Sequence, residues 1–119
     1  FICDGAAELG LSDYVTKGQK AYLKSTLPLN MEIPALRVAT VFTITIKNSL
    51  ANTIAEKRQA DVENMELFGV ALACQKKKTP WNAILGITNE VGDQGREQWL
   101  KHKDEIAAIC CQYVSRWIR

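Results

Sequence analysis

The sequence predicts an α/β fold in which a mixed, largely parallel sheet is flanked by helices. Stretches rich in β-branched residues alternate with helical patterns along residues 36–118, and this alternation favours parallel strand pairing. Polar clusters also follow two predicted strands, at residues 62–66 (VENME) and 86–92 (GITNEVG). An open α/β sheet binds its ligand at the carboxyl ends of its strands. The 119 residues suffice for one domain, which we assign to residues 1–119, with the least clear pattern over residues 1–35.

The first predicted strand–helix unit lies over residues 36–58. The strand is predicted at residues 36–46, because the sequence LRVATVFTITI is rich in Val, Ile and Thr. Asn48 and Ser49 then form an N-cap signal, which predicts a helix over residues 50–58.

The second unit combines a short strand at residues 60–63 with a helix at residues 65–77. The helix is predicted because apolar residues recur at helical spacing, namely Leu67, Val70, Ala71 and Cys74. The next segment, residues 81–88 (WNAILGIT), is predicted to be a further, buried strand.

A long amphipathic helix is predicted over residues 96–118. Its apolar stripe contains Trp99, Ile106, Ile109, Cys110, Tyr113, Val114 and Trp117. Because Trp99 and Trp117 fit this stripe, we expect both in the core and not as a stacking platform for a ligand.

Composition argues against several classes of partner. The net charge is +2 and the isoelectric point is about 8.4, so no dense basic face for nucleic acid is expected. The Lys76–Lys78 run is interpreted as a solvated helix end. The sequence lacks an apolar run of about eighteen residues, so we expect no membrane partner and a cytoplasmic protein. The chain begins at Phe1 in an apolar stretch, which we interpret as the start of a fragment.

The cysteines and the single histidine do not suggest a metal centre. Cys3, Cys74, Cys110 and Cys111 include no Cys-x-x-Cys spacing, and His102 has no partner at a ligand spacing. We therefore expect buried, reduced thiols, no metal and no cofactor.

Glu66 is the first candidate for a functional side chain. It is predicted at a helix start directly after a strand, where a carboxylate can accept hydrogen bonds from two vicinal hydroxyls such as those of a ribose. Met65 beside it offers a soft apolar surface to a sugar face. The alternative is that Glu63 and Glu66 only complement the helix dipole. The residues alone favour this alternative.

Asn89 is the second candidate, predicted at the end of the strand that follows that helix. Its amide donates and accepts, so it can contact a purine edge and hold the base nitrogen N7 as charge builds there. The alternative is an ordinary loop asparagine that caps or turns the chain. Here too the residue by itself favours the structural alternative.

The order ADVENME, then a helix rich in Gly and Ala, then GITNEVG-x-x-x-R-x-x-W resembles the carboxyl-terminal half of the nucleoside phosphorylase and nucleosidase superfamily. Within it, the V-E-N-M-E and N-x-V-G patterns are most similar to those of futalosine hydrolases. The resemblance covers residues 36–119 well and residues 1–35 weakly. It implies an α/β/α sandwich, a purine nucleoside substrate and cleavage of the ribosyl N-glycosidic bond through an oxocarbenium-like state.

The resemblance also implies roles for individual residues. Glu66 matches the glutamate that binds the ribose 2′ and 3′ hydroxyls, and Met65 matches the methionine under the sugar. Asn89 matches the catalytic position that assists departure of the purine, and Asn64 and Thr88 complete the substrate-binding set. Methylthioadenosine nucleosidases carry Asp at the catalytic position, whereas Asn resembles the members that release hypoxanthine.

The sequence also departs from the family pattern. Leu67 and Phe68 follow Glu66 where the family has small residues, and we expect that they could crowd the site. No glycine-rich turn precedes residue 36, so the chain resembles half an enzyme, inactive alone. It is expected to form a homo-oligomer or to associate with the missing amino-terminal half. A purine nucleoside phosphorylase and an inactive interaction module stay open as alternatives.

Overall fold

The computed structural model describes the backbone of residues 2–8 and the whole of residues 22–118. The strands are β1 (Ile2–Glu8), β2 (Tyr22–Lys24), β3 (Ala35–Thr40) and β4 (Val62–Asn64). The helices are α1 (Asn48–Arg58), α2 (Leu67–Lys76) and α3 (Gly95–Ile118).

The four strands form one sheet in the order β2-β1-β3-β4. β1 pairs antiparallel with β2 and parallel with β3, and β3 pairs parallel with β4. The predicted α/β class with a mixed, largely parallel sheet is therefore confirmed. Since Thr40 pairs with Asn64, β3 and β4 end at the same edge of the sheet.

The core lies between the sheet and α2. Its buried members are Leu23, Val38, Leu67, Phe68, Ala71 and Trp81. Ala71 is fully buried, because its small side chain lets α2 approach the sheet closely. Burial of each large apolar side chain here contributes about 1.5–3 kcal/mol relative to exposure.

The strand predicted over residues 36–46 is too long, because β3 ends at Thr40. Thr40 pairs with Glu8 of β1 and with Asn64 of β4, which are the last residues of those strands. On the β4 side, the Val41 N–H donates to the Asn64 carbonyl at 2.8 Å, and Asn64 is the last residue of that strand. Residues 42–46 consequently leave the sheet, and Phe42 is 74% exposed.

The strand predicted over residues 81–88 is also wrong. Within this segment only Ile84 makes an isolated bridge. The segment is attached instead to the loop after β2, where the Trp81 carbonyl accepts the N–H groups of Thr26 and Leu27 at 3.0 and 2.9 Å. The apolar run is therefore coil in which only Trp81 is buried, and Asn89 lies in a loop and not at a strand end.

The helix boundaries shift by one or two residues from the prediction. α1 begins at Asn48 with Lys47 as its N-cap, and that residue makes no side-chain cap. The N-cap predicted at Asn48 and Ser49 is therefore wrong. α2 begins at Leu67 and α3 at Gly95.

The apolar stripe of α3 is only partly covered. Ile106 and Cys110 approach Gly86 so closely that a side chain on Gly86 would collide with them. By contrast, Trp99 is 43% and Trp117 is 45% exposed, so the expectation that both lie in the core is wrong. The described thiols are free, but Cys111 is exposed and Cys74 and Cys110 are half-buried, which corrects the expectation of buried thiols.

The described residues contain no group of three or more His, Cys, Asp or Glu side chains arranged to hold a metal ion. Over the same residues, no helix combines the length and apolar character needed to cross a membrane.

Candidate functional site

One cleft of about 800 Å³ brings together all five site residues predicted from the sequence. They are Asn64, Met65, Glu66, Thr88 and Asn89. The first three come from the end of β4 and the start of α2, and the last two from the loop that precedes α3. The cleft is therefore formed where β3 and β4 end and where the chain turns into two helices.

Glu66 occupies the N-cap position of α2 but makes no side-chain cap. Its side chain is exposed, and its Oε2 accepts a hydrogen bond from the Met65 N–H at 3.1 Å. Met65 is itself 47% exposed. A charged carboxylate and a thioether therefore stand side by side on one wall of the cleft.

Other residues satisfy the first N–H groups of α2. Asn64 Oδ1 accepts from the Leu67 N–H at 3.3 Å, and Thr40 Oγ1 accepts from the Phe68 N–H at 2.9 Å. The Thr40 hydroxyl in turn donates to Asn64 Oδ1 at 3.2 Å. Because helix starts leave these donors unsatisfied, this pair performs the capping and Glu66 is not needed for it. Asn64 Oδ1 therefore already accepts two hydrogen bonds from within the protein.

Asn89 is held by its neighbours along the chain. The Thr88 hydroxyl donates to Asn89 Oδ1 at 2.6 Å, and Asn89 Nδ2 donates to the Glu90 carbonyl at 2.8 Å. A backbone carbonyl only accepts, so the nitrogen must face Glu90. One N–H of the Asn89 amide is then left to donate to a ligand.

Several residues that line or support the cleft were not predicted. Arg96 and Trp99 extend from the first turns of α3 into its lining. Their three-residue spacing on one helix face is the R-x-x-W part of the pattern that carries the resemblance, but neither residue was predicted to belong to the site. Thr40 gave no such signal, since a threonine in a strand is ordinary.

Leu67 and Phe68 do not crowd the cleft. Both are 5% exposed and belong to the core between α2 and the sheet. Neither is among the described residues that line the cleft. The expected obstruction is therefore corrected: the larger side chains at these two positions strengthen the core.

No protein-family model and no curated protein matches the sequence, but solved structures match the fold. The futalosine hydrolase of Helicobacter pylori superposes with a TM-score of 0.89 at 12% identity, covering 98% of this chain and 58% of that one. A 5′-methylthioadenosine/S-adenosylhomocysteine nucleosidase from the same organism, solved with butyl-thio-DADMe-Immucillin-A, gives 0.86 at 12% identity and the same coverages.

A nucleosidase of that name from Colwellia psychrerythraea, solved with adenine, gives a TM-score of 0.77 at 16% identity, covering 95% of this chain and 55% of that one. The chain thus spans less than two thirds of the length of the structures it matches. Over that span it shares the α/β fold of these three solved structures.

Proposed function

We propose that the protein is part of a purine nucleosidase that cleaves a ribosyl N-glycosidic bond. The observation that carries the proposal is that Glu66 and Asn89 line the same cleft in a fold shared with nucleosidases. The finer proposal is a futalosine-type, cytoplasmic hydrolase that releases hypoxanthine and is linked to menaquinone synthesis. A purine nucleoside phosphorylase is the alternative activity.

Glu66 holds the sugar in this proposal. Its carboxylate is exposed on the cleft wall and is not used to cap α2. Two ribose hydroxyls would each donate to it, and charge-assisted bonds of this kind contribute about 1.5–3 kcal/mol each. Met65 would pack against the sugar face with its thioether.

Asn89 assists departure of the base. An amide does not ionise, so it stabilises the leaving purine by hydrogen bonding and not by proton transfer. The N–H that remains after the Glu90 contact would donate to the base nitrogen N7 as electron density builds there.

Base release is the direct test. The protein is isolated at its native mass and incubated with futalosine, inosine or methylthioadenosine, with and without phosphate. The proposal expects hypoxanthine from the first two substrates, independent of phosphate, and slower release in Glu66→Gln. Release that requires phosphate would favour the phosphorylase. No release from any substrate would contradict both activities and favour an interaction module.

A further inference from the structure

The Asn89–Glu90 segment is also held by α3. The Glu90 N–H donates to Gln98 Oε1 at 2.8 Å. Gln98 lines a second depression, of about 400 Å³, that shares Asn89 and Glu90 with the main cleft. Since it is not among the described residues that line the main cleft, Gln98 would act on a ligand there only through this segment.

Gly95 makes the second contact between α3 and this segment. It is buried, and a Cβ at this position would lie 2.9 Å from the Glu90 carbonyl oxygen and 3.1 Å from Asn89 Nδ2. Its φ lies outside the left-handed region, unlike that of Gly92. The glycine is therefore needed for close approach and not for its backbone conformation.

We infer that Gln98 and Gly95 are positioning residues that set the orientation of the Asn89 amide towards a bound purine, an inference that rests on the proposed function. The Glu90 N–H donates to Gln98 Oε1, and the Glu90 carbonyl accepts a hydrogen bond from Asn89 Nδ2. The Gln98 contact therefore determines where that acceptor lies. Gly95 leaves the space in which the Asn89 nitrogen sits.

The test compares three variants of the isotope-labelled chain. Gln98→Met removes the acceptor at similar length, Gln98→Glu keeps an acceptor oxygen, and Gln112→Met is a matched control at an exposed position of the same helix. Two quantities are measured on each sample. They are the side-chain amide resonances of Asn89 in a proton–nitrogen correlation spectrum, and the dissociation constants of inosine and adenosine by titration.

We expect Gln98→Met to shift the Asn89 resonances and to weaken inosine binding about tenfold, the effect of one misaligned hydrogen bond. Adenosine binding should weaken less, because a well-oriented amide N–H can donate to both N7 and O6 of hypoxanthine, whereas the amino group at C6 of adenine cannot accept it. Gln98→Glu should restore both readouts, and Gln112→Met should leave both unchanged. A purely structural role of Gln98 would not change the ratio of the two affinities.

Two outcomes would overturn the inference: unaltered Asn89 resonances, or unaltered inosine affinity, in folded Gln98→Met. If the wild type binds neither nucleoside, the proposed function fails, and the Asn89 resonances alone decide whether the segment is positioned by Gln98. If Gln98→Met does not fold, Gly95→Ala provides the test. Alanine is favoured over glycine in a helix, but its Cβ would press against the Asn89 side chain. Unchanged Asn89 resonances in Gly95→Ala would then contradict the inference.

Discussion

At the residue scale, the two candidate side chains differ in how strongly the protein holds them. The Glu66 carboxylate accepts one backbone N–H. Its other acceptor positions face solvent, which a ligand can replace. The Asn89 amide is fixed at both ends by Thr88 and Glu90. A pre-oriented amide discriminates between ligands, because a mismatched base leaves buried polar groups unpaired.

In the protein isolated at its native mass, replacing Glu66 by Gln should reduce turnover without reducing stability. The change removes a charge-assisted acceptor pair and should cost about 2–3 kcal/mol of transition-state binding. The side chain is exposed, so the melting temperature should stay near that of the wild type. The measurement is kcat/KM for base release beside a thermal melt. Glu56→Gln, an exposed change on α1, is the control, and unchanged turnover with lowered stability would support a role in the helix dipole only.

In the protein isolated at its native mass, replacing Asn89 by Asp should shift base preference towards adenine nucleosides. The wild-type amide suits a 6-oxopurine, whereas a protonated carboxyl can act as general acid to adenine N7. The measurement is a competition assay in which an inosine-type and an adenosine-type substrate are mixed with each variant. A wild-type preference for the adenine nucleoside would refute the assignment of Asn89 to 6-oxopurines.

At the element scale, the start of α2 depends on two side chains outside the helix. Thr40 and Asn64 accept the N–H groups of Phe68 and Leu67. Both belong to strands that end at the cleft. The sheet edge, the helix start and the wall that carries Glu66 are thereby linked by hydrogen bonds.

Removing the Thr40 hydroxyl should therefore destabilise the protein. Thr40→Val keeps the shape of the side chain but leaves the Phe68 N–H without its acceptor, at a cost of about 1–3 kcal/mol. Urea unfolding measures the change in free energy. Thr53→Val on α1, which loses an exposed bond to the Ser49 carbonyl, should cost about 0.5 kcal/mol or less. Equal effects of the two changes would contradict the proposed link.

Periodicity predicted the helices better than composition predicted the strands. Leu67 and Ala71 are buried at helical spacing in α2, because a helix satisfies its own backbone and needs only one apolar face. A strand requires a neighbour, and nothing in the composition of residues 42–46 or 81–88 reveals whether another strand lies beside them. The five predicted site residues line one cleft. Gln98 was not predicted, because its hydrogen bond with the Glu90 N–H depends on the conformation of the loop.

At the scale of the whole molecule, the described chain is thin and carries exposed apolar surface. Its dimensions are 43 × 38 × 18 Å. Phe42 is 74%, Ile46 is 65% and Ile118 is 71% exposed. Surfaces of this kind mark contacts with other polypeptides or a risk of aggregation. The solved structures with the same fold are longer than this chain.

We expect the 119-residue chain to associate with a second copy at micromolar concentration. Burial of exposed apolar side chains drives such association. Replacing Phe42 and Ile46 together by Ser should lower the apparent mass in light scattering, whereas Val70→Ser on α2 should change it less. A monodisperse monomer of the unmodified chain would count against this prediction.

The central claim is that the cleft beside Glu66 and Asn89 holds a purine nucleoside. The most direct measurement is a titration of the isotope-labelled chain with inosine, followed residue by residue in proton–nitrogen correlation spectra. The account predicts saturable shifts at Met65, Glu66 and Asn89, and none at residues 112–118 of α3. Saturating inosine that shifts none of these cleft residues, or that shifts only the end of α3, would contradict it.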